Sequence, residues 1–170
     1  DTFRVKRKYQ QDVDRKAYWK RMEFKNEEWV GLKEHCDNNK IDFLSTPFSE
    51  KAFEMLDNLN IDFWKIASGE VTNFPMIEKI AKTNKPILVS SGLSSFEELD
   101  DTVNLIRGYH NNICLLQCTS SYPCPPDQYG LNLIDEMRKR YDVPIGLSDH
   151  SGSIYPSIAA ITLGARIIEV

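Results

Sequence analysis

Six short apolar runs, five of them finishing in polar residues, recur along this chain at intervals of about 20 to 30 residues. They are 43–48 (FLSTPF), 63–70 (FWKIASGE), 86–92 (PILVSSG), 113–123 (ICLLQCTSSYP), 144–150 (PIGLSDH) and 165–170 (ARIIEV). The segments between them carry apolar residues at helical spacing. Short apolar runs alternating with helices are the pattern of βα units around a parallel sheet. In a closed parallel barrel the C-terminal strand ends share one face, and chemistry is built there. The polar tips are therefore expected to converge in space.

Six units are visible where a closed (β/α)₈ TIM barrel has eight and about 250 residues. The expected fold is α/β, a partial barrel. The chain opens on Asp1 without Met and stops at Val170 inside an apolar run. It is accordingly expected to be a fragment truncated at both ends and inactive alone. Residues 1–22, rich in charge and without an apolar period, read as a loop or linker; 23–170 read as the barrel domain.

Helix signals fill the gaps. Glu27 to Asn38 has a partial apolar face. Ser49 is placed to cap a helix over Glu50 to Asn58, because its hydroxyl can accept from a free first-turn N–H. Asn73-Phe74-Pro75 starts a third helix with Pro in the first turn, where a missing N–H costs little. Ser95 and Glu98 form a capping box for a helix reaching about Tyr109. Leu131 to Tyr141 and Pro156 to Leu163 supply two more, the last closed by Gly164.

A net charge of −4 and the lack of a basic face argue against nucleic acid. No apolar stretch approaches the ~18 residues of a membrane span. Cys36, Cys114, Cys118 and Cys124 lack C-x-x-C spacing, so they read as reduced thiols of a cytoplasmic protein.

Three constellations carry chemistry. Lys65 interrupts an apolar run, and a buried ammonium must find anions or lose its charge; the competing reading is an edge strand with Lys65 in solvent. Glu70, at the same tip, either pairs with Lys65 or contacts a polar substrate. Ser90-Ser91-Gly92 and Thr119-Ser120-Ser121 put hydroxyls and loop N–H groups where phosphate or carboxylate oxygens are bound, although the same residues form plain turns. Ser148-Asp149-His150 offers an imidazole beside a carboxylate able to orient it or join a metal's shell. His35 and His110, in helix and loop, carry no such signal.

The series STPFS (45–49), WKIASGE with NFP (64–75), KPILVSSG (85–92), LLQCTSSYPCPPD (115–127), IGLSDHSG (145–152) and LGARIIEV (163–170) closely resembles the sialic acid synthase family. Those enzymes condense phosphoenolpyruvate with N-acetylmannosamine or a related acylated amino sugar. The resemblance implies barrel strands three to eight and a divalent metal, manganese or magnesium, with His150 as one ligand. It implies Thr46, Lys65, Ser68, Ser90 and Ser148 as phosphoenolpyruvate ligands, Glu70 and Tyr122 as sugar contacts, and Ser120 as a further substrate contact. Lys65, Glu70 and His150 are the residues it makes catalytic. It also allows a homodimeric parent. Two other readings stay open: a Schiff-base aldolase with Lys65 as nucleophile, and a non-catalytic remnant of the synthase.

Overall fold

The computed structural model describes residues 12–170. A boundary between Ile41 and Asp42 separates two compact units. The expected linker falls partly at 1–11, outside the described residues. Within the first unit, α1 (Arg15–Met22) and α2 (Asn26–Asn38) are helical. The segment 15–22 is thus a helix where charge suggested a loop. It buries no side chain and has no apolar stripe, so local bonds hold it. The Asp14 carboxylate accepts from the Ala17 N–H at 2.8 Å, and Arg21 pairs with Asp12 at 2.7 Å.

The second unit alternates strand and helix: β1 (Leu44–Ser45), α3 (Glu50–Asn58), β2 (Phe63–Ile66), α4 (Phe74–Ala81), β3 (Ile87–Ser90), α5 (Phe96–Arg107), β4 (Ile113–Cys118), α6 (Leu133–Tyr141), β5 (Ile145–Ser148), α7 (Tyr155–Thr162) and β6 (Ile168–Glu169). The six strands form one parallel sheet in the order β1-β2-β3-β4-β5-β6. Helix starts follow the sequence signals. Ser49 Oγ accepts from the Ala52 N–H at 3.2 Å, and Ser95 with Glu98 closes a capping box on α5. Asn73 accepts from the Met76 N–H ahead of Pro75.

Side chains alternate across the sheet. One face is apolar: Trp64, Ile87, Val89 and Leu115 are at most 0% exposed, joined by Ile66, Ile113, Ile145 and Leu147. Trp64 stacks on Phe53 of α3, ring centroids 5.0 Å apart, and its Nε1–H donates to Thr83 Oγ1 at 2.9 Å. This face therefore meets the helices. Leu99, Val103 and Ile106 of α5 and Ile134 and Met137 of α6 complete its core.

The opposite face carries Lys65, Ser90, Cys114, Cys118, Gly146 and Ser148 in adjacent registers. Cys114 and Cys118 share it, four residues apart on β4, and burial pushes the Cys114 thiol up to about 11. The sheet curls around this face. Lys65 on β2 and Glu169 on β6 lie four strands apart, which in a flat sheet is about 19 Å, yet their side chains pair at 3.3 Å. Six parallel strands thus bend into an open barrel with Lys65 and Glu169 facing each other across it.

Leu115→Ala should cost about 2–5 kcal/mol in urea unfolding, from lost burial and the cavity left. Leu93→Ala, at a position 78% exposed, should cost under about 0.5 kcal/mol.

Candidate functional site

The strand tips converge on a cleft of about 540 Å³. Thr46 follows β1; Lys65 and Ser68 come from β2 and the turn after it; Ser90 ends β3. Ser120 and Tyr122 follow β4, Ser148 ends β5 and His150 follows it, and Glu169 lies on β6. Residues more than a hundred positions apart meet here because each stands at the C-terminal end of a parallel strand.

Lys65 is 7% exposed and the single cationic side chain among the described residues lining the cleft. Its ammonium donates to Ser90 Oγ at 2.7 Å and pairs with Glu169 at 3.3 Å. The edge-strand reading fails, since β2 pairs with β1 on one side and β3 on the other. Glu70 does not pair with Lys65: its carboxylate accepts from Asn73 Nδ2 at 2.7 Å, beside the cap of α4. It stands outside the set of residues that line the cleft, apart from the other eight candidates.

The two hydroxyl clusters divide by function. Ser90 and Ser120 reach the cleft. Thr119 donates to the Gln128 carbonyl at 2.7 Å, Ser121 to the Pro123 carbonyl at 3.2 Å, and Ser91 points toward Gln117, so these three fasten loops. Gly92 makes the convergence possible. A Cβ there would stand 2.7 Å from Ser120 Oγ, 2.8 Å from Ser68 Oγ and 3.2 Å from the Cys118 carbonyl. Bare backbone lets two hydroxyls from different strand tips meet over β3. An ammonium flanked by hydroxyls suits an oxyanion.

His150 is fixed from several sides. Its carbonyl accepts from the Cys124 N–H at 2.8 Å, its Nε2 lies 3.3 Å from Ser148 Oγ, and its ring meets Tyr122 at 4.4 Å between centroids. The neighbouring Asp149 is buried, but its carboxylate accepts from the Ser151 N–H at 2.8 Å and from Ser157 Oγ at 3.1 Å. It ties the β5 tip to α7. Among the described residues no three His, Cys, Asp or Glu side chains are grouped to hold a metal ion. His35 is on α2 of the first unit, and His110 is not among the residues that line the cleft; desolvation lowers the pKa of His110, whose Nδ1 accepts from the Asn112 N–H.

The model of the NeuB family matches residues 1–170. The chain belongs to the NeuB family. It is 37% identical over 149 residues to human N-acetylneuraminate-9-phosphate synthase, covering 87% of this chain and 42% of that protein. The pseudaminic acid synthase of Helicobacter pylori is 44% identical over 127 residues, covering 74% and 37%. The N,N'-diacetyllegionaminic acid synthase of Campylobacter jejuni is 38% identical over 138 residues, covering 79% and 41%. The chain thus spans less than half the length of these relatives. Among solved structures, the N-acetylneuraminic acid synthetase of Leptospira borgpetersenii superposes with a TM-score of 0.85 at 33% identity, over 88% of this chain and 53% of that one.

Sequence reasoning did not find Glu169 as the partner of Lys65. The run ARIIEV does carry the signal, a lone carboxylate at the end of an apolar strand, but choosing its partner requires the curl of the sheet.

Gly92→Ala should weaken binding of inorganic phosphate in the cleft by about tenfold, because Ser68 and Ser120 must part to admit the methyl. Phosphate titration by calorimetry, beside a thermal melt showing that the variant folds, checks it.

Proposed function

We propose that this chain forms barrel strands three to eight of a cytoplasmic synthase that joins phosphoenolpyruvate to an acylated amino sugar, giving a nonulosonate and phosphate. The observation that carries the reading is the Lys65 ammonium, buried beside Ser90 at the meeting point of six parallel strand tips. Membership of a family that includes sialic, legionaminic and pseudaminic acid synthases supports it.

In this reading Lys65 neutralises phosphate or carboxylate charge, and Thr46, Ser68, Ser90 and Ser148 orient the oxygens. Such groups act mainly by placing two substrates and holding charge that is already present. Tyr122, on the loop after β4, and Glu70, on the turn after β2, are assigned to the sugar, and Ser120 is a further substrate contact. The phosphoenolpyruvate methylene carbon forms the new bond to the sugar aldehyde carbon. Water adds to the cationic carbon this creates, and the C–O bond to phosphate breaks as the 2-keto group forms.

The described residues fit a divalent cation only in part. They offer the His150 imidazole at the cleft, while Glu169 is engaged by Lys65. His150 would hold manganese or magnesium together with ligands from the rest of the protein, and the ion would polarise the sugar aldehyde. Ser148 Oγ and the Tyr122 ring hold the imidazole, and the Cys124 N–H fixes the His150 backbone.

An ion-paired, buried ammonium argues against the aldolase alternative, which needs Lys65 as a neutral amine. Borohydride with a keto substrate is accordingly expected to leave Lys65 unmodified.

In the whole protein His150→Ala should abolish condensation; turnover by that variant in excess chelator would refute the metal role. Lys65→Met should weaken phosphoenolpyruvate binding by about ten- to a hundredfold, as expected for a charge-assisted contact. Its effect on the sugar should be small, and calorimetry with each substrate separately reads both.

A further inference from the structure

The cleft contains its own anion. Glu169 Oε1 lies 3.3 Å from Lys65 Nζ, on the strand facing β2 across the open barrel. The two partners are unequally held. Lys65 is buried to 7% exposure and anchored by Ser90 Oγ at 2.7 Å, whereas the Glu169 side chain is 37% exposed. The β6 backbone is fixed by the Asp149 N–H donating to the Glu169 carbonyl at 2.8 Å, so movement is confined to the side chain. No second cation lines the cleft among the described residues. Any anion that reaches Lys65 must therefore take the place of Glu169 or share the ammonium with it.

This exchange is selective by charge. A monocarboxylate brings no more charge than Glu169 and has to be drawn from solution, while Glu169 is covalently tethered beside the ammonium. A doubly charged oxyanion brings more charge and additional acceptors for the surrounding hydroxyls. We propose that Glu169 is the resident counterion of Lys65, leaving it only for a multiply charged oxyanion and so excluding monocarboxylates from the cleft. The pair, with Ser90, also keeps the buried ammonium aimed into the cleft before substrate arrives. Glu169 thereby acts as a specificity-determining residue. The proposal rests on the reading of the cleft as the phosphoenolpyruvate site, but not on the condensation itself.

The test is titration calorimetry on the whole protein at neutral pH in chelator, with inorganic phosphate and acetate as probes. Wild type should bind phosphate and discriminate strongly against acetate. Glu169→Gln should bind acetate at least about tenfold tighter and phosphate about threefold to tenfold tighter, in keeping with the energies of ion pairs near a surface. Glu169→Asp, whose carboxylate falls one methylene short of Lys65, should shift the same way by less and serves if the Gln variant does not fold. Unchanged or weaker affinity for both anions in a folded Glu169 variant would overturn the counterion role. If wild type binds phosphate but performs no condensation, the synthase reading fails and the counterion stands. If wild type binds neither probe, the anion cleft itself is refuted and the counterion with it.

Discussion

A single ion pair reports the geometry on which everything else depends. Lys65 and Glu169 sit on strands four places apart in the sheet, yet their side chains are 3.3 Å apart. The sheet must bend for this to happen, and the bend is the right-handed twist of parallel strands carried toward closure. Bending turns one face into an interior. Side chains at the strand tips then become neighbours although up to 123 positions separate them, as between Thr46 and Glu169.

The two faces of the sheet divide stability from chemistry. Toward the helices, Trp64, Ile87, Val89 and Leu115 pack with no exposure, and Phe53, Leu99, Ile106 and Ile134 close over them. That dry layer supplies the burial that offsets the cost of placing polar groups on the other face. Thr102, at 0% exposure, donates to the Val71 carbonyl, so even the polar members of this layer are bonded. On the inner face, Lys65, Ser90 and Ser148 are buried polar groups, each bonded to another cleft residue. Such a network holds its members in place before any ligand arrives.

Much of the architecture was legible because local signals and global fold agree. Ser49, Asn73 and Ser95 with Glu98 cap the helices that their sequence context assigns to them. Each of the six apolar runs contains a strand. The strands are shorter than the runs, however: they end at Ile66, Ser90, Cys118 and Ser148, where the polar tips turn away into loops. The helix over Arg15–Met22 was not legible, since its bonds to Asp14 and Asp12 leave no hydrophobic period. Nor was the division of hydroxyls between cleft and loop. Ser90 and Ser91 are adjacent, but alternation sends one to Lys65 and the other toward Gln117 on the helix side. Glu70 shows the same limit: its spacing from Lys65 allowed a pair, but the turn after β2 directs it to Asn73.

The most direct test of this account is a crystal structure of the whole protein with phosphoenolpyruvate. A phosphate or carboxylate oxygen should lie within hydrogen-bonding distance of Lys65 Nζ, with the Ser90, Ser68 and Ser120 hydroxyls around the same ligand. An anion bound elsewhere, with Lys65 still paired to Glu169, would contradict the claim that the curled sheet gathers its strand tips into an anion site.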